Sequence, residues 1–169
     1  RMSKQNNIMK PQKIVLNKRH YNEYYDRKEI EKLLPSFNVP IMDGWEQIMY
    51  QFDNTCALTG TPIKIKKSAK GMEHFIPLAI GHGGTNEQNI YPMDRFLNYS
   101  KNNKNPFIWI RELEFSPLIK EEDYPKIYGN FQMLVEYLAI KNNLSVAEFE
   151  EYVNWCFENP RTLEEIKLN

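Results

Sequence analysis

The stretch from residue 71 to residue 106 concentrates the side chains that could hydrolyse a phosphodiester. Glu73 and His74 stand side by side, a glycine-rich segment follows, and asparagines come at Asn89 and Asn98. Such hydrolysis needs a base that activates water and a cation that neutralises charge on the phosphate and the leaving oxygen. His74 suits the base, because an ordinary pKa of ~6.5 leaves neutral imidazole near neutral pH.

Glu73 and Asn98 offer oxygen ligands for the cation. Two such ligands leave coordination positions for water and phosphate, which suits Mg²⁺ or Mn²⁺ better than Zn²⁺. Lys101 follows Asn98 by three residues, so both share one side of a predicted helix and Lys101 could contact phosphate. One geometric condition applies. Neighbours on a strand point to opposite faces, so Glu73 and His74 share a site only if the strand bends or the cation lies at its edge.

The order of these residues resembles the HNH endonucleases of the ββα-metal type. That family carries an Asp-His pair, a proline three residues later, a Gly-Gly loop, a central Asn, and an Asn or His in the next helix, often with a Lys after it. The corresponding residues here are Glu73-His74, Pro77, Gly83-Gly84, Asn89, Asn98 and Lys101. The spacings from His74 to Asn89 and from Asn89 to Asn98 also fit the family, and the resemblance covers about residues 44–106.

The resemblance implies a DNA endonuclease that nicks or cuts with one divalent metal ion, and it assigns a role to each residue. His74 would be the general base. Glu73, where the family usually has Asp, and Asn98 would be the metal ligands. Asn89 would hold the loop through side-chain hydrogen bonds to the backbone, and Lys101 would be a phosphate contact.

The segment at residues 56–60, CALTG, resembles the CxxCG that opens the zinc-knuckle version of the family. Thr59 stands in place of the second cysteine, and no later cysteine pair follows. A structural zinc is therefore not expected, and the expected cofactor is Mg²⁺ or Mn²⁺.

Other residues are candidate nucleic-acid contacts on charge or position. They are Lys64, Lys66, Lys67 and Lys70 of a basic hairpin, Lys104, and His82 of the glycine loop. The lysines could equally be ordinary solvated residues, and His82 could be an incidental loop histidine. The basic aromatic patch at residues 19–25, RHYNEYY, could stack on bases, but aromatics at such spacing are more often part of a core. His20 within it is expected to be structural.

Composition limits the class of protein. Net charge is zero, but residues 1–70 hold 13 Lys and Arg against 7 Asp and Glu, whereas residues 111–169 hold 6 against 12. A basic half and an acidic half are compatible with phosphate binding on one side, or with acidic solvated helices that offset a basic tail. The two cysteines form no disulfide framework, and no membrane span or signal peptide is apparent. We expect a cytoplasmic protein encoded by a prokaryote or phage.

The pattern predicts an α+β protein with a ββα-metal (HNH) core and helical additions at both ends. Residues 1–42 would be a basic arm and helix, 43–106 the nuclease core, and 107–169 an acidic helical subdomain packed on the core. Helices are predicted over residues 22–34, 43–52, 95–103, 106–113, 129–142, 145–158 and from 162. The strand from Met72 to about Leu78 could pair with the run from Pro62, or with the return strand at residues 89–91.

The expected partner is DNA, with RNA not excluded, and no membrane. A homodimer, or a larger nuclease, defence or phage complex, is compatible with the sequence. The competing interpretation is an HNH-fold module that is non-catalytic or acts only in an assembly, and that binds nucleic acid or a protein partner.

Overall fold

The computed structural model describes residues 22–64 and 71–169. It is a mixed helical and sheet structure, which confirms the α+β class. The helices are α1 (Tyr24–Leu33), α2 (Ile41–Gln51), α3 (Arg95–Lys101), α4 (Pro106–Leu113), α5 (Tyr124–Lys141), α6 (Val146–Glu158) and α7 (Leu163–Lys167). The strands are β1 (Met72–His74) and β2 (Ile90–Pro92), and short 3₁₀ turns cover Leu78–Ile80 and Glu121–Asp123.

The strands β1 and β2 form a two-stranded antiparallel sheet, with Glu73 opposite Tyr91 and His74 opposite Ile90. Of the two predicted pairings for the Met72 strand, the structure therefore has the one with the return strand. Pro62 forms only an isolated bridge with Thr55. The strand is also shorter than predicted, because the chain turns into the 3₁₀ segment after Pro77.

Side-chain capping sets the starts of three helices, which lie within one residue of the predicted starts. The Asp94 carboxylate accepts hydrogen bonds from two amides of the first turn of α3. Ser145 with Glu148, and Thr162 with Glu165, form the capping boxes of α6 and α7.

Other helix ends differ from the prediction. Helix α2 begins at Ile41, because the Pro40 carbonyl already accepts from the amides of Asp43 and Gly44. Helix α5 begins at Tyr124, so Gly129 lies inside it. Helix α3 ends at Lys101, because Asn102 leaves the helical conformation with a positive φ of 50°.

One continuous hydrophobic core joins the sheet to the C-terminal helices. Phe75, which is fully buried, packs against Phe107, Phe131 and Phe149 with ring centroids 5.4–6.0 Å apart. Buried apolar residues of the C-terminal helices, from Phe107 to Cys156, belong to the same cluster as those of the sheet. No helix in the described ranges is long and apolar enough to cross a bilayer.

Helix α3 contacts this core through Leu97, and Met93, two residues before the helix, is buried in the same cluster. Phe96, next to Leu97 on the same helix, is 60% exposed. The N-terminal helix α1 packs on the other end of the chain, where Ile30 and Leu34 form a small cluster with Ile166.

Candidate active site

A cavity of about 600 Å³ opens between the end of β1, helix α3 and helix α1. Glu73 and His74 line it from β1, and Asn98 lines it from α3. The structure thus brings together the predicted base and both predicted metal ligands. Arg27 of α1 and Arg95 of α3 line the same cavity, so its wall carries two guanidinium groups beside the three predicted residues.

The side chain of Glu73 meets the geometric condition for sharing a site with His74. Its Oε1 accepts a hydrogen bond from the backbone amide of His74 at 2.7 Å, so the carboxylate bends back along the strand edge. Lys101 Nζ holds the same edge, because it lies 3.3 Å from Glu73 Oε2 and donates to the His74 carbonyl at 3.0 Å. Glu73 and His74, which are adjacent on β1, therefore both border one cavity.

One oxygen of the Glu73 carboxylate accepts no hydrogen bond. Oε2 is buried and has no hydrogen-bond partner, although the ammonium of Lys101 forms an ion pair with it. The described ranges contain no group of three or more His, Cys, Asp or Glu side chains that could hold a metal ion. The predicted donors at this cavity are the Glu73 carboxylate and the Asn98 amide, with water completing any coordination. Such hard oxygen donors fit Mg²⁺ or Mn²⁺.

Burial sets the electrostatics of the site. Burial, together with the nearby positive charge of Lys101, lowers the pKa of His74 to about 4. At pH 7 the imidazole is therefore neutral and can accept a proton. Burial also raises the pKa of Glu73, partly opposed by Lys101, and lowers the pKa of Lys101, partly opposed by Glu73. Each charge of this pair thus depends on the other.

Asn89 holds the glycine loop to the segment after β1. Its Oδ1 accepts from the amide of Ile76 at 2.8 Å, and its Nδ2 donates to the carbonyls of Ile76 and Gly84 at 3.0 and 2.9 Å. The side chain is buried and bonds to backbone groups, as the resemblance implied. A Cβ on Gly83 would lie 2.5 Å from Asn89 Nδ2, so the loop approaches this side chain too closely for any larger residue.

The lysines that were predicted to contact nucleic acid differ in their exposure and in their contacts. Lys101 has no exposed surface, so the structure corrects the expectation that it meets phosphate; its ammonium instead holds Glu73 and the His74 carbonyl. Lys104 is exposed and pairs with Glu112 at 3.1 Å. Lys64 is exposed at the end of the first described range, and Lys66, Lys67 and Lys70 lie outside the described residues.

His82 is not among the residues that line this cavity. His82 is 7% exposed, its Nε2 lies 2.6 Å from the Asn159 carbonyl, and its ring packs edge-on against Trp155. It therefore ties the glycine loop to the end of α6, away from Glu73 and His74. His20 lies outside the described residues. Two tyrosines of its aromatic patch, Tyr24 and Tyr25, are 58% and 78% exposed, so they are not core residues.

The residues at or near the cavity that were not singled out from the sequence include Arg27, Glu31, Thr85 and Arg95. Arg27 and Glu31 are four residues apart on α1, which places them on one helix face. Thr85 directly follows the Gly-Gly pair. Helical spacing was thus available as a signal for Arg27 and Glu31, but nothing in the sequence shows that this face turns toward His74.

The thiol of Cys56 occupies the region that resembles a zinc knuckle. Its sulfur accepts hydrogen bonds from the amide of Thr59 at 3.5 Å and from the amide of Asp94 at 3.2 Å. Cys56 is buried, so these contacts connect the turn at residues 56–60 directly to the N-terminus of α3. The helix that carries Asn98 is anchored there by sulfur hydrogen bonds.

Comparison of the chain with protein-family models, with curated proteins and with solved structures gave no significant match.

Proposed function

We propose that the protein is a metal-dependent DNA endonuclease of the HNH type, with β1, β2 and α3 as its ββα-metal core. The observation that carries this proposal is the convergence of Glu73, His74 and Asn98 on one cavity. These residues supply a base and two oxygen ligands, which are the groups that metal-assisted phosphodiester hydrolysis requires.

The cavity wall also suits a nucleic-acid backbone. Arg27 Nε is buried and has no hydrogen-bond partner, so a phosphate oxygen would satisfy it. Arg95 lies on the wall contributed by α3, and Tyr99 beside it is 79% exposed. Guanidinium groups next to exposed aromatic rings are typical of surfaces that contact phosphates and stack on bases.

In the proposed reaction the neutral His74 imidazole accepts a proton from a water molecule as the water oxygen attacks phosphorus. The bond from phosphorus to the 3′ oxygen breaks, and the leaving oxygen takes a proton from solvent. Glu73 and Asn98 would hold the divalent cation, which when bound neutralises negative charge on the phosphate and leaving oxygen. Lys101 keeps the Glu73 carboxylate and the His74 backbone in place through its two contacts.

A nicking assay tests this function. Purified protein is incubated with supercoiled plasmid in Mg²⁺ or Mn²⁺, and with single-stranded RNA in a parallel reaction. Nicked or linear plasmid is expected from the unaltered chain, and loss of product is expected from His74→Ala and Glu73→Gln. Glu151→Gln, an exposed carboxylate on α6, is the matched control and should cleave normally. Cleavage that persists in a folded His74→Ala protein would exclude His74 as the base.

Arg27→Ala tests the nucleic-acid contact separately from the chemistry. Loss of one phosphate contact should weaken DNA binding for all sequences and lower the slope of log K against log salt by about 1. Fluorescence anisotropy with a labelled duplex measures both quantities. An unchanged salt slope would show that Arg27 does not contact phosphate.

One observation favours the second candidate, a non-catalytic module that binds nucleic acid or a protein partner. Lys101 already supplies a positive charge 3.3 Å from Glu73 Oε2, so the carboxylate is neutralised without a metal ion. Calorimetry with Mn²⁺ separates the candidates. Binding that Glu73→Gln abolishes supports the nuclease, whereas DNA binding without any Mn²⁺ binding supports the module.

A further inference from the structure

A chain of three side chains extends behind the His74 imidazole. His74 Nε2 lies 2.8 Å from Thr85 Oγ1, and the Thr85 hydroxyl donates in turn to Glu31 Oε2. Thr85 has no exposed surface, and Glu31 comes from helix α1, outside the segment that resembles a nuclease. We refer to these residues as the Glu31–Thr85–His74 chain.

The donors in this chain can be assigned from simple valence. An ionised carboxylate only accepts hydrogen bonds, and a threonine hydroxyl has a single hydrogen to donate. Because the Thr85 hydrogen goes to Glu31, Thr85 Oγ1 must accept from His74. The proton of the neutral imidazole therefore lies on Nε2, and the lone pair lies on Nδ1.

The backbone around Thr85 holds this arrangement rigidly. Thr85 bridges Ser36, just after α1, and Asn86 Nδ2 donates to the Pro35 carbonyl at 3.0 Å. A Cβ on Gly84 would lie 2.2 Å from the Pro35 oxygen, so loop and linker are in direct backbone contact. The glycine loop and the end of α1 thus keep Thr85 between His74 and Glu31.

We propose that Thr85 and Glu31 are positioning residues that hold His74 in the Nε2–H tautomer, so that Nδ1 is the atom that takes the proton from water. The tautomer follows from the hydrogen bonds alone, and its catalytic consequence rests on the proposed nuclease function. During the step, water oxygen bonds to phosphorus, the phosphorus to 3′ oxygen bond breaks, and the water proton moves to Nδ1. No proton moves to Thr85 or Glu31; the Glu31 carboxylate stabilises the imidazolium through the hydroxyl of Thr85.

Nitrogen-15 NMR of the imidazole rings tests the tautomer without any substrate. The His74 signals are assigned by their loss in His74→Ala. We expect the Nε2–H pattern in the unaltered chain and in Thr85→Ser, which keeps the hydroxyl. Thr85→Val removes the acceptor, so a mixture of tautomers is expected. An Nδ1–H pattern in the unaltered chain, or an unchanged pattern in Thr85→Val, would overturn the proposal.

Cleavage kinetics test the catalytic consequence. Thr85→Val should lower kcat about 10–100-fold, in the range seen when outer hydrogen-bond partners of a site are lost, with recovery in Thr85→Ser. Glu31→Gln keeps an acceptor for Thr85 but removes the charge, so it should retain the tautomer and lower kcat with KM unchanged. Glu29→Gln, exposed on the same helix, is the control and should match the unaltered chain.

The two measurements distinguish two kinds of failure. If the unaltered chain shows the Nε2–H pattern but cleaves no nucleic acid, the proposed function fails and the assignment of the tautomer stands. If it cleaves and Thr85→Val cleaves equally well, the nuclease function stands and the role of the Glu31–Thr85–His74 chain is refuted.

Discussion

Removal of Lys101 from its buried pair with Glu73 should destabilise the protein strongly. The Lys101 side chain is 0% exposed and that of Glu73 is 10% exposed, with 3.3 Å between Nζ and Oε2. Lys101→Met fills a similar volume without the charge and leaves the Glu73 carboxylate buried without its partner. Breaking a buried pair in this way costs about 3–5 kcal/mol of unfolding free energy.

The double variant Glu73→Gln/Lys101→Met removes both charges at once. Replacing a buried pair by neutral residues of similar volume is often close to neutral, so the double variant should be more stable than Lys101→Met alone. Glu73→Gln alone should cost about 1–3 kcal/mol, because the Lys101 ammonium keeps its hydrogen bond to the His74 carbonyl. The sum of the two single-variant losses of unfolding free energy should therefore exceed the loss in the double variant by about 2 kcal/mol or more.

Urea unfolding followed by circular dichroism, with EDTA present, measures all four proteins. The control cycle uses Lys104→Met and Glu112→Gln, a pair at 3.1 Å whose side chains are 52% and 54% exposed. Solvent screens that pair, so its coupling should be about 0–1 kcal/mol. A coupling between Glu73 and Lys101 no larger than that of the control would refute the reasoning.

The same variants test the proposed metal site. In Lys101→Met a divalent cation would replace the ammonium as the counter-charge of Glu73, so saturating Mn²⁺ should stabilise this variant more than the unaltered chain. Glu73→Gln should lose the Mn²⁺ effect. Equal stabilisation in all three proteins would show that Mn²⁺ binds elsewhere.

Two further predictions concern the core and the glycine loop. In urea unfolding, Phe75→Ala should cost about 3–5 kcal/mol of unfolding free energy, because it leaves a cavity between the sheet and three aromatic rings. Phe115→Ala is the control: its side chain is 82% exposed, so the unfolding free energy should change by less than about 0.5 kcal/mol. A comparable loss of unfolding free energy in the two variants would mean that Phe75 does not join the sheet to the C-terminal helices. Burial lowers the pKa of His82, so the folded state binds a proton less readily than the unfolded chain. Neutral His82 therefore contributes its full stabilisation above the unfolded-state pKa of ~6.5. As the pH falls below that value, this stabilisation decreases by at most about 1.4 kcal/mol per pH unit. His82→Gln should therefore lose less stability than the unaltered chain between about pH 7.5 and about pH 5.5, and parallel curves would contradict this.

Much of the local structure could be predicted from the sequence, because short-range contacts decide it. Asp94, Ser145 and Thr162 mark helix starts since a side-chain oxygen and a nearby amide meet whatever the rest of the chain does. The segment from Glu73 to Asn98 was likewise identified as a candidate site from residue types and spacing. Of its candidate residues, Glu73, His74 and Asn98 do line one cavity.

Tertiary structure decided what depends on distant segments. Spacing placed Lys101 on the same helix side as Asn98, but only packing shows that its ammonium is buried on Glu73. Glu31 is 54 residues from Thr85 in the chain, and their contact exists because α1 packs against the 3₁₀ segment after β1 and its linker meets the glycine loop. Residue types in the sequence thus pointed to a candidate base and candidate ligands. Which imidazole nitrogen is free, and which charge neutralises the carboxylate, were decided only when remote elements came together.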